Sequence, residues 1–263
     1  FAHKPVYDPI VQALSGLTTI QAGSDEERPR LVRTIVPDKL TGITMAQAIS
    51  SALVAKLRTG EGQHIRLSML DAVVSFLWSS DMGGQTFVGK EVSVQRAATF
   101  IDLIYETQTG YISVSAMTNQ QWTSLCDAVG HPEWKDDERF KTPGGRDRYA
   151  DERLNMTQEA LLAGPAEQWL NILEEAGVPC APVLKRREMI HHPQVEASGL
   201  IVESDHPVAG RIRQTRPAAR YSVTTPEIRY GAPGHGEHND EVLSEIGMSR
   251  DDIATLREKG VIS

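Results

Sequence analysis

Asp38 stands where a short apolar segment rich in β-branched residues, Leu31 to Val36, closes on Pro37 and gives way to an alanine-rich helical pattern. A carboxylate at such a junction is favoured in its charged form, because the N–H groups and dipole of a helix start attract negative charge. A free carboxylate can serve as a weak nucleophile or as an acid–base group. The same position also suits a plain helix N-cap, so residue type alone leaves both roles open. Tyr7 and Asp8, directly before Pro9, open an earlier helical stretch. Asp8 is either the cap of that helix, with Tyr7 packed on it, or a second acid near a site.

The other chemistry-bearing residue types form no pattern of their own. Eight histidines include no pair spaced for one helix face; His191-His192 before Pro193 reads as a surface turn, and His238 as structural. The two cysteines, Cys126 and Cys180, lie far apart without a Cys-x-x-Cys or Cys/His spacing, which indicates neither a metal site nor a disulfide framework. P-loop, G-x-G-x-x-G, H-E-x-x-H and G-x-S-x-G motifs are all lacking. Gly60 and Gly62 serve a turn.

The elements that must position Asp38 follow from periodicity. Ile10, Val11, Leu14 and Leu17 recur at helical spacing, with Gly16 as a C-cap. After a charged loop at 24–30, the segment Leu31 to Val36 reads as a strand, and Met45, Ile49, Leu53 and Leu57 then mark a long helix stopped by Gly60. His64 to Met69 alternates as a half-buried strand, and Asp71 to Trp78 reads as an apolar helix. Gly83-Gly84 breaks the pattern, and 86–99 has the composition of a linker. Beyond it come a hairpin of 101–105 and 111–115 around Thr109-Gly110, then helices at 120–129, 150–162 and 165–176. A short helix at 186–191, strands near 200–204 and 211–213, and helices at 237–247 and 250–260 complete the chain. Alternating β and α elements predict an α/β or α+β architecture of two domains.

Composition narrows the partners. A formal charge of -8 and a pI near 5.5 exclude a dedicated phosphate-backbone binder, so nucleic acid is not expected. No apolar run is expected to reach the ~20 residues that cross a bilayer, and no secretory leader pattern opens the chain, which together predict a cytoplasmic protein without a membrane partner. The chain begins at Phe1 without methionine and reads as a cut chain.

Four blocks in order carry a resemblance to a known family. Val6-Tyr7-Asp8 with Gln12-Ala13-Leu14-Ser15-Gly16 is the first. Pro37-Asp38-Lys39-Leu40-Thr41-Gly42, followed by Arg58 to Ala72, is the second. The third is Gly177-Val178-Pro179-Cys180-Ala181-Pro182-Val183 and the fourth Gly236 to Leu243. As a set they resemble the family III, or CaiB/BaiF, CoA-transferases along the whole chain. The resemblance implies Asp38 as catalytic nucleophile, with Tyr7, Asp8 and Gly42 as substrate-binding positions; at Asp8 one well-known member of the family has a glutamate, one methylene longer. It implies the family III fold, a large Rossmann-like α/β domain, incomplete here, plus a smaller α+β domain. Residues 1–88 would be part of the large domain, 89–195 the small domain and 196–263 a segment returning to the large one. Coenzyme A would be a substrate and not a permanent cofactor, its contacts mostly in a missing N-terminal part, with acyl-CoA and carboxylate substrates, no metal, and an interlocked homodimer at full length. Two other readings share the blocks: an α-methylacyl-CoA racemase-like isomerase, whose histidine would stand where this chain has Tyr7, and a non-catalytic acyl-CoA-binding relative.

Overall fold

The computed structural model describes residues 4–91, 103–206, 208–228 and 231–263. The chain divides into two compact units, Phe1–Cys180 and Ala181–Ser263. Helices dominate the start of the first. α1 (Asp8–Leu14) turns at Gly16, whose φ of 83° needs a residue without a Cβ, into α2 (Leu17–Ala22), so the single helix expected over 8–17 is two. α3 (Val36–Thr59) is the longest helix and ends on Gly60; α4 (Met69–Trp78) starts from Ser68, whose Oγ accepts from the Asp71 N–H at 3.0 Å.

Two expected strands are not formed. Residues 31–35 and 64–68 have no regular structure, with a bend at 33–34, and Val36 and Met69 already begin helices; no strand pairs with these segments among the described residues, and a strand exists only where a neighbour takes its N–H and C=O groups. The period of two survives in burial alone: Ile65 and Leu67 are half-buried and Arg66 is exposed. Asp38 accordingly lies inside the first turn of α3, two residues past its start, and not at a strand end.

A small core joins these helices: Val11 and Leu17 with Val73 and Leu77, flanked by Val32, Val36 and Leu40. The face of α1 turned inward differs from the apolar one. Asp8, Val11, Gln12 and Ser15 are buried, whereas Ile10 is 49% and Leu14 68% exposed. Residues 8, 11, 12 and 15 share helical spacing as well as 10, 14 and 17 do, and buried polar groups are tolerated when hydrogen-bonded. Ile43, Ile49, Leu53, Val54 and Leu57 on α3 are likewise exposed. By length and composition α3 could cross a bilayer, contrary to the expectation that no apolar run reaches that size: its many alanines raise hydropathy without forming a visibly continuous apolar run.

The expected linker at 86–99 and the start of the first hairpin strand, 101 and 102, fall largely outside the described residues. From there β1 (Ile104–Thr107) and β2 (Gly110–Val114) pair antiparallel, Thr107 opposite Gly110, around Gln108-Thr109. α5 (Asn119–Ala128) follows, opened by a capping box of Thr118 and Gln121, then α6 (Pro143–Arg148), α7 (Ala150–Leu161) and α8 (Ala166–Glu175). The second core lies here, with Ile112, Cys126, Phe140, Leu161 and Leu173 fully buried. Buried Arg146 satisfies itself by donating to the Phe140 carbonyl at 2.9 Å and to Asn119 Oδ1 at 2.5 Å. β3 (Cys180–Pro182), next to β2 in the sheet, carries the chain out of this unit.

The second unit holds α9 (Arg186–Met189), α10 (Pro193–Ser198), the antiparallel pair β4 (Ile201–His206) and β5 (Gly210–Thr215), α11 (Asn239–Glu245) and α12 (Arg250–Glu258). Glu203 on β4 accepts from Arg211 and Arg213 on β5, both at 2.7 Å.

Candidate active site at the start of the long helix

The first turn of a helix exposes N–H groups without internal partners. In α3 each has found one. Val36 donates to the Thr34 carbonyl at 2.9 Å, Lys39 to the Ile35 carbonyl at 3.2 Å, and Pro37 has no N–H to place. The Asp38 N–H is taken from another helix: Asp8 Oδ2 accepts it at 3.3 Å. Asp8 therefore caps α3 from α1, not the helix it begins.

Behind this contact lies a closed set of hydrogen bonds. Asp8 Oδ1 accepts from Gln12 Nε2 at 2.7 Å, one turn on along α1. Gln12, 2% exposed, accepts on Oε1 from the Val32 N–H at 2.9 Å and shares Nε2 with the carbonyls of Val32 and Thr34, each at 3.3 Å. One amide thus ties the irregular stretch leading into α3 to the middle of α1. Ser15 Oγ donates to the Gln12 carbonyl at 3.2 Å on the same buried face.

The four candidate residues take different places around this network. Asp38 is exposed, and among the described residues its carboxylate has no hydrogen-bond or ion-pair partner. Asp8 is 5% exposed with both oxygens engaged. Tyr7, the residue before α1, is 79% exposed. Gly42 lies one turn beyond Asp38 on α3, exposed, and a Cβ added there would meet nothing within 4 Å. Asp8 and Asp38 are brought together across the chain by a hydrogen bond; Tyr7 merely adjoins Asp8 in sequence, and Gly42 merely follows Asp38 by one turn of α3. No group of three or more His, Cys, Asp or Glu suited to a metal occurs among the described residues.

Sequence reasoning did not single out Gln12 as the centre of this hydrogen-bond network. The signal was available: at i+4 from Asp8 and next to Val11, a polar side chain sits on a helical stripe that the fold buries.

A carboxylate free of partners among the described residues, on a helix start tied from behind, is chemically able to act as a nucleophile or as an acid–base group. The chain's fold is shared with solved proteins: a CaiB/BaiF family protein from Brucella suis superposes with a TM-score of 0.75 at 24% identity, over 93% of this chain and 64% of that one. The family model for CoA-transferase family III matches residues 1–239, and the chain belongs to that family. It is 30% identical to the human succinyl-CoA:glutarate CoA-transferase over 97% of its own length and 59% of the relative's. Against the acetyl-CoA:oxalate CoA-transferase of Acetobacter aceti the identity is 31%, over 93% of this chain and 62% of that protein. The chain thus spans about three-fifths of the length of these relatives.

Proposed function

We propose that this chain carries the acyl-transfer centre of a CoA-transferase, with Asp38 as nucleophile. The reading is carried by one observation, the exposed and unpartnered Asp38 carboxylate on a helix turn whose own N–H is held by buried Asp8. A nucleophile must be accessible to the thioester and yet fixed in direction, and that turn satisfies both needs.

In the proposed cycle an Asp38 oxygen attacks the carbonyl of the acyl-CoA, the C–S bond breaks, and the CoA thiolate leaves with the bonding pair. The thiolate then attacks the aspartyl carbonyl of the mixed anhydride, expelling the donor acid as its carboxylate and leaving an aspartyl-CoA thioester. An acceptor carboxylate repeats the two steps in reverse order: it attacks the aspartyl carbonyl to displace thiolate, and the thiolate takes the acceptor's acyl carbonyl, restoring free Asp38. Charge and atoms balance without redox chemistry, and coenzyme A passes through as a substrate. Both relatives named above use dicarboxylic acids, glutarate and oxalate, and a dicarboxylate is proposed here as acceptor. Tyr7 and Gly42, exposed near either end of this segment, are proposed to face the substrate, Gly42 by leaving room beside the nucleophile.

The same reading places residues 1–88 in a large α/β domain, 89–195 in a smaller one and 196–263 back on the first, in a cytoplasmic homodimer. The bare apolar side of α3 is then a surface to be covered by protein and not by lipid.

The test is covalent trapping. With an acyl-CoA present, hydroxylamine should convert Asp38 of the enzyme to a hydroxamate, read by peptide mass spectrometry, and Asp38→Asn should abolish both the adduct and CoA exchange. Exchange at the wild-type rate in Asp38→Asn would end the proposal. Deuterium uptake next to the thioester without an adduct would instead indicate the isomerase, and binding with neither would indicate a carrier.

A further inference from the structure

Taking the nucleophilic role of Asp38 as given, we infer that Gln12 is a positioning residue for it: the buried amide that fixes the start of α3, and through Asp8 the Asp38 backbone. Gln12 touches neither the Asp38 side chain nor solvent. Its reach is longer than a packing residue's, because Oε1 and Nε2 engage the Val32 N–H, the Val32 and Thr34 carbonyls and Asp8 Oδ1 at once. The segment it holds, 32–34, has no strand neighbour to fix it among the described residues, so the Val32 N–H and the Val32 and Thr34 carbonyls find a partner in this side chain. Thr34 in turn receives the first N–H of α3 and, on Oγ1, Lys39 Nζ at 3.1 Å. Loosening Gln12 therefore frees the incoming stretch and the N–H of Asp38 together.

The polarity of the pair is specified as well as its shape. Asp8 only accepts, from Gln12 on one oxygen and from Asp38 on the other, and Gln12 must donate toward Asp8 while accepting from Val32. Gln12→Glu keeps the volume but sets oxygen against oxygen at the 2.7 Å contact. The double variant Asp8→Asn with Gln12→Glu reverses donor and acceptor at that contact: the asparagine amide donates to the new carboxylate, which still accepts from Val32, and the asparagine oxygen still accepts from Asp38, while the donation to the Val32 and Thr34 carbonyls stays lost, so the rescue is partial.

The experiment compares the rate of hydroxylamine-trapped acylation at Asp38, together with kcat and KM for CoA transfer, in wild type, Gln12→Glu, Gln12→Met and the double variant of the intact enzyme, each checked for native helicity by circular dichroism. A misdirected nucleophile costs on the order of 10- to 100-fold in rate for displacements near 1 Å. The inference expects losses of that size in acylation and kcat for Gln12→Glu and Gln12→Met, with KM within about two-fold, and recovery of about ten-fold in the double variant. A Gln12→Glu enzyme that is folded and acylated at the wild-type rate overturns it, as does a double variant no faster than Gln12→Glu, since a role in packing alone gives no reason for rescue by exchanging donor and acceptor. If wild type itself yields no Asp38 adduct, it is the nucleophile assignment that has failed.

Discussion

Two neighbouring glycines in α6 sit in opposite surroundings, and alanine should affect them with opposite sign. A Cβ built on Gly144 meets nothing within 4 Å, while one on Gly145 would stand 2.5 Å from the Arg139 carbonyl oxygen and 3.1 Å from Thr142 Oγ1. Neither glycine has positive φ, so backbone strain does not decide the matter. At Gly144 the change replaces the poorest ordinary helix former with the best, a gain of up to ~1 kcal/mol. At Gly145 the same gain is overrun. Carbon–oxygen approaches under 3.0 Å essentially do not occur, so the Arg139 carbonyl or the first turn of α6 must move by about 0.5 Å. That turn is tied down: Gly145 N donates to Thr142 Oγ1 at 3.1 Å, Arg146 N to the Thr142 carbonyl at 2.9 Å, and the Arg146 guanidinium to the Phe140 carbonyl at 2.9 Å. Overpacking of this kind costs ~1–3 kcal/mol and a damaged cap ~1 kcal/mol more, against ~1 kcal/mol regained from helix propensity. Gly145→Ala should thus lose ~1–3 kcal/mol. Urea unfolding followed by tryptophan fluorescence reads it directly, because Trp122 and Trp134 are buried in the same core and Arg146 lies 6.0 Å over the Trp122 ring. With a slope of about 2 kcal/mol per molar, the midpoint should fall by ~0.5–1.5 M, whereas Gly144→Ala should raise it slightly. A Gly145→Ala midpoint at or above wild type, with unchanged slope, would refute the reasoning.

Two further outcomes follow from single side chains. Burial pushes the Cys126 thiol from an ordinary 9.0 up to about 12, and the residue is fully enclosed. A thiol reagent near neutral pH should label partly buried Cys180 and leave Cys126 untouched until urea is added. Because the folded value lies above the unfolded one, the stability from keeping this thiol protonated is complete below pH 9.0 and fades as pH rises toward 12. Cys126→Ala should flatten that alkaline decline in unfolding titrations, and labelling of native Cys126 at a free-thiol rate would contradict the account. In the second unit, Gly236 has φ of 68° and a Cβ there would lie 2.7 Å from Asn239 Nδ2, which donates to the Ser263 carbonyl at 3.2 Å. Gly236→Ala should cost ~1–2 kcal/mol from the left-handed backbone alone and speed hydrogen exchange across 239–263; unchanged exchange would show the turn to be dispensable.

Local signals were legible wherever the partner lay close in sequence. Ser68 before α4, the Thr118–Gln121 box before α5, the two-residue turn between β1 and β2 and the glycine ends of α3 and α8 all obey short-range rules, and the helices that periodicity marked fall close to where it put them, whereas the short α2, α6 and α10 were not anticipated. The order of blocks around Asp38 and Gly177 was likewise enough to point to the family that the match over residues 1–239 establishes. Periodicity states which residues share a face; it does not state which face turns inward. Hence the first helical stretch, whose apolar stripe was read as Ile10, Val11, Leu14 and Leu17, buries Val11 and Leu17 but turns Asp8, Gln12 and Ser15 inward in place of Ile10 and Leu14, because the polar face finds hydrogen-bond partners at Val32, Thr34 and Asp38. The segments 31–36 and 64–69 carry strand-like residues, yet a strand is a property of two segments and here no second one is described beside them. The sequence alone thus determined which carboxylate begins the long helix. Only the tertiary structure decided that it stands free while Asp8, 30 positions earlier in the chain, holds its backbone, because a hydrogen bond between residues that far apart exists only once packing has brought them within reach.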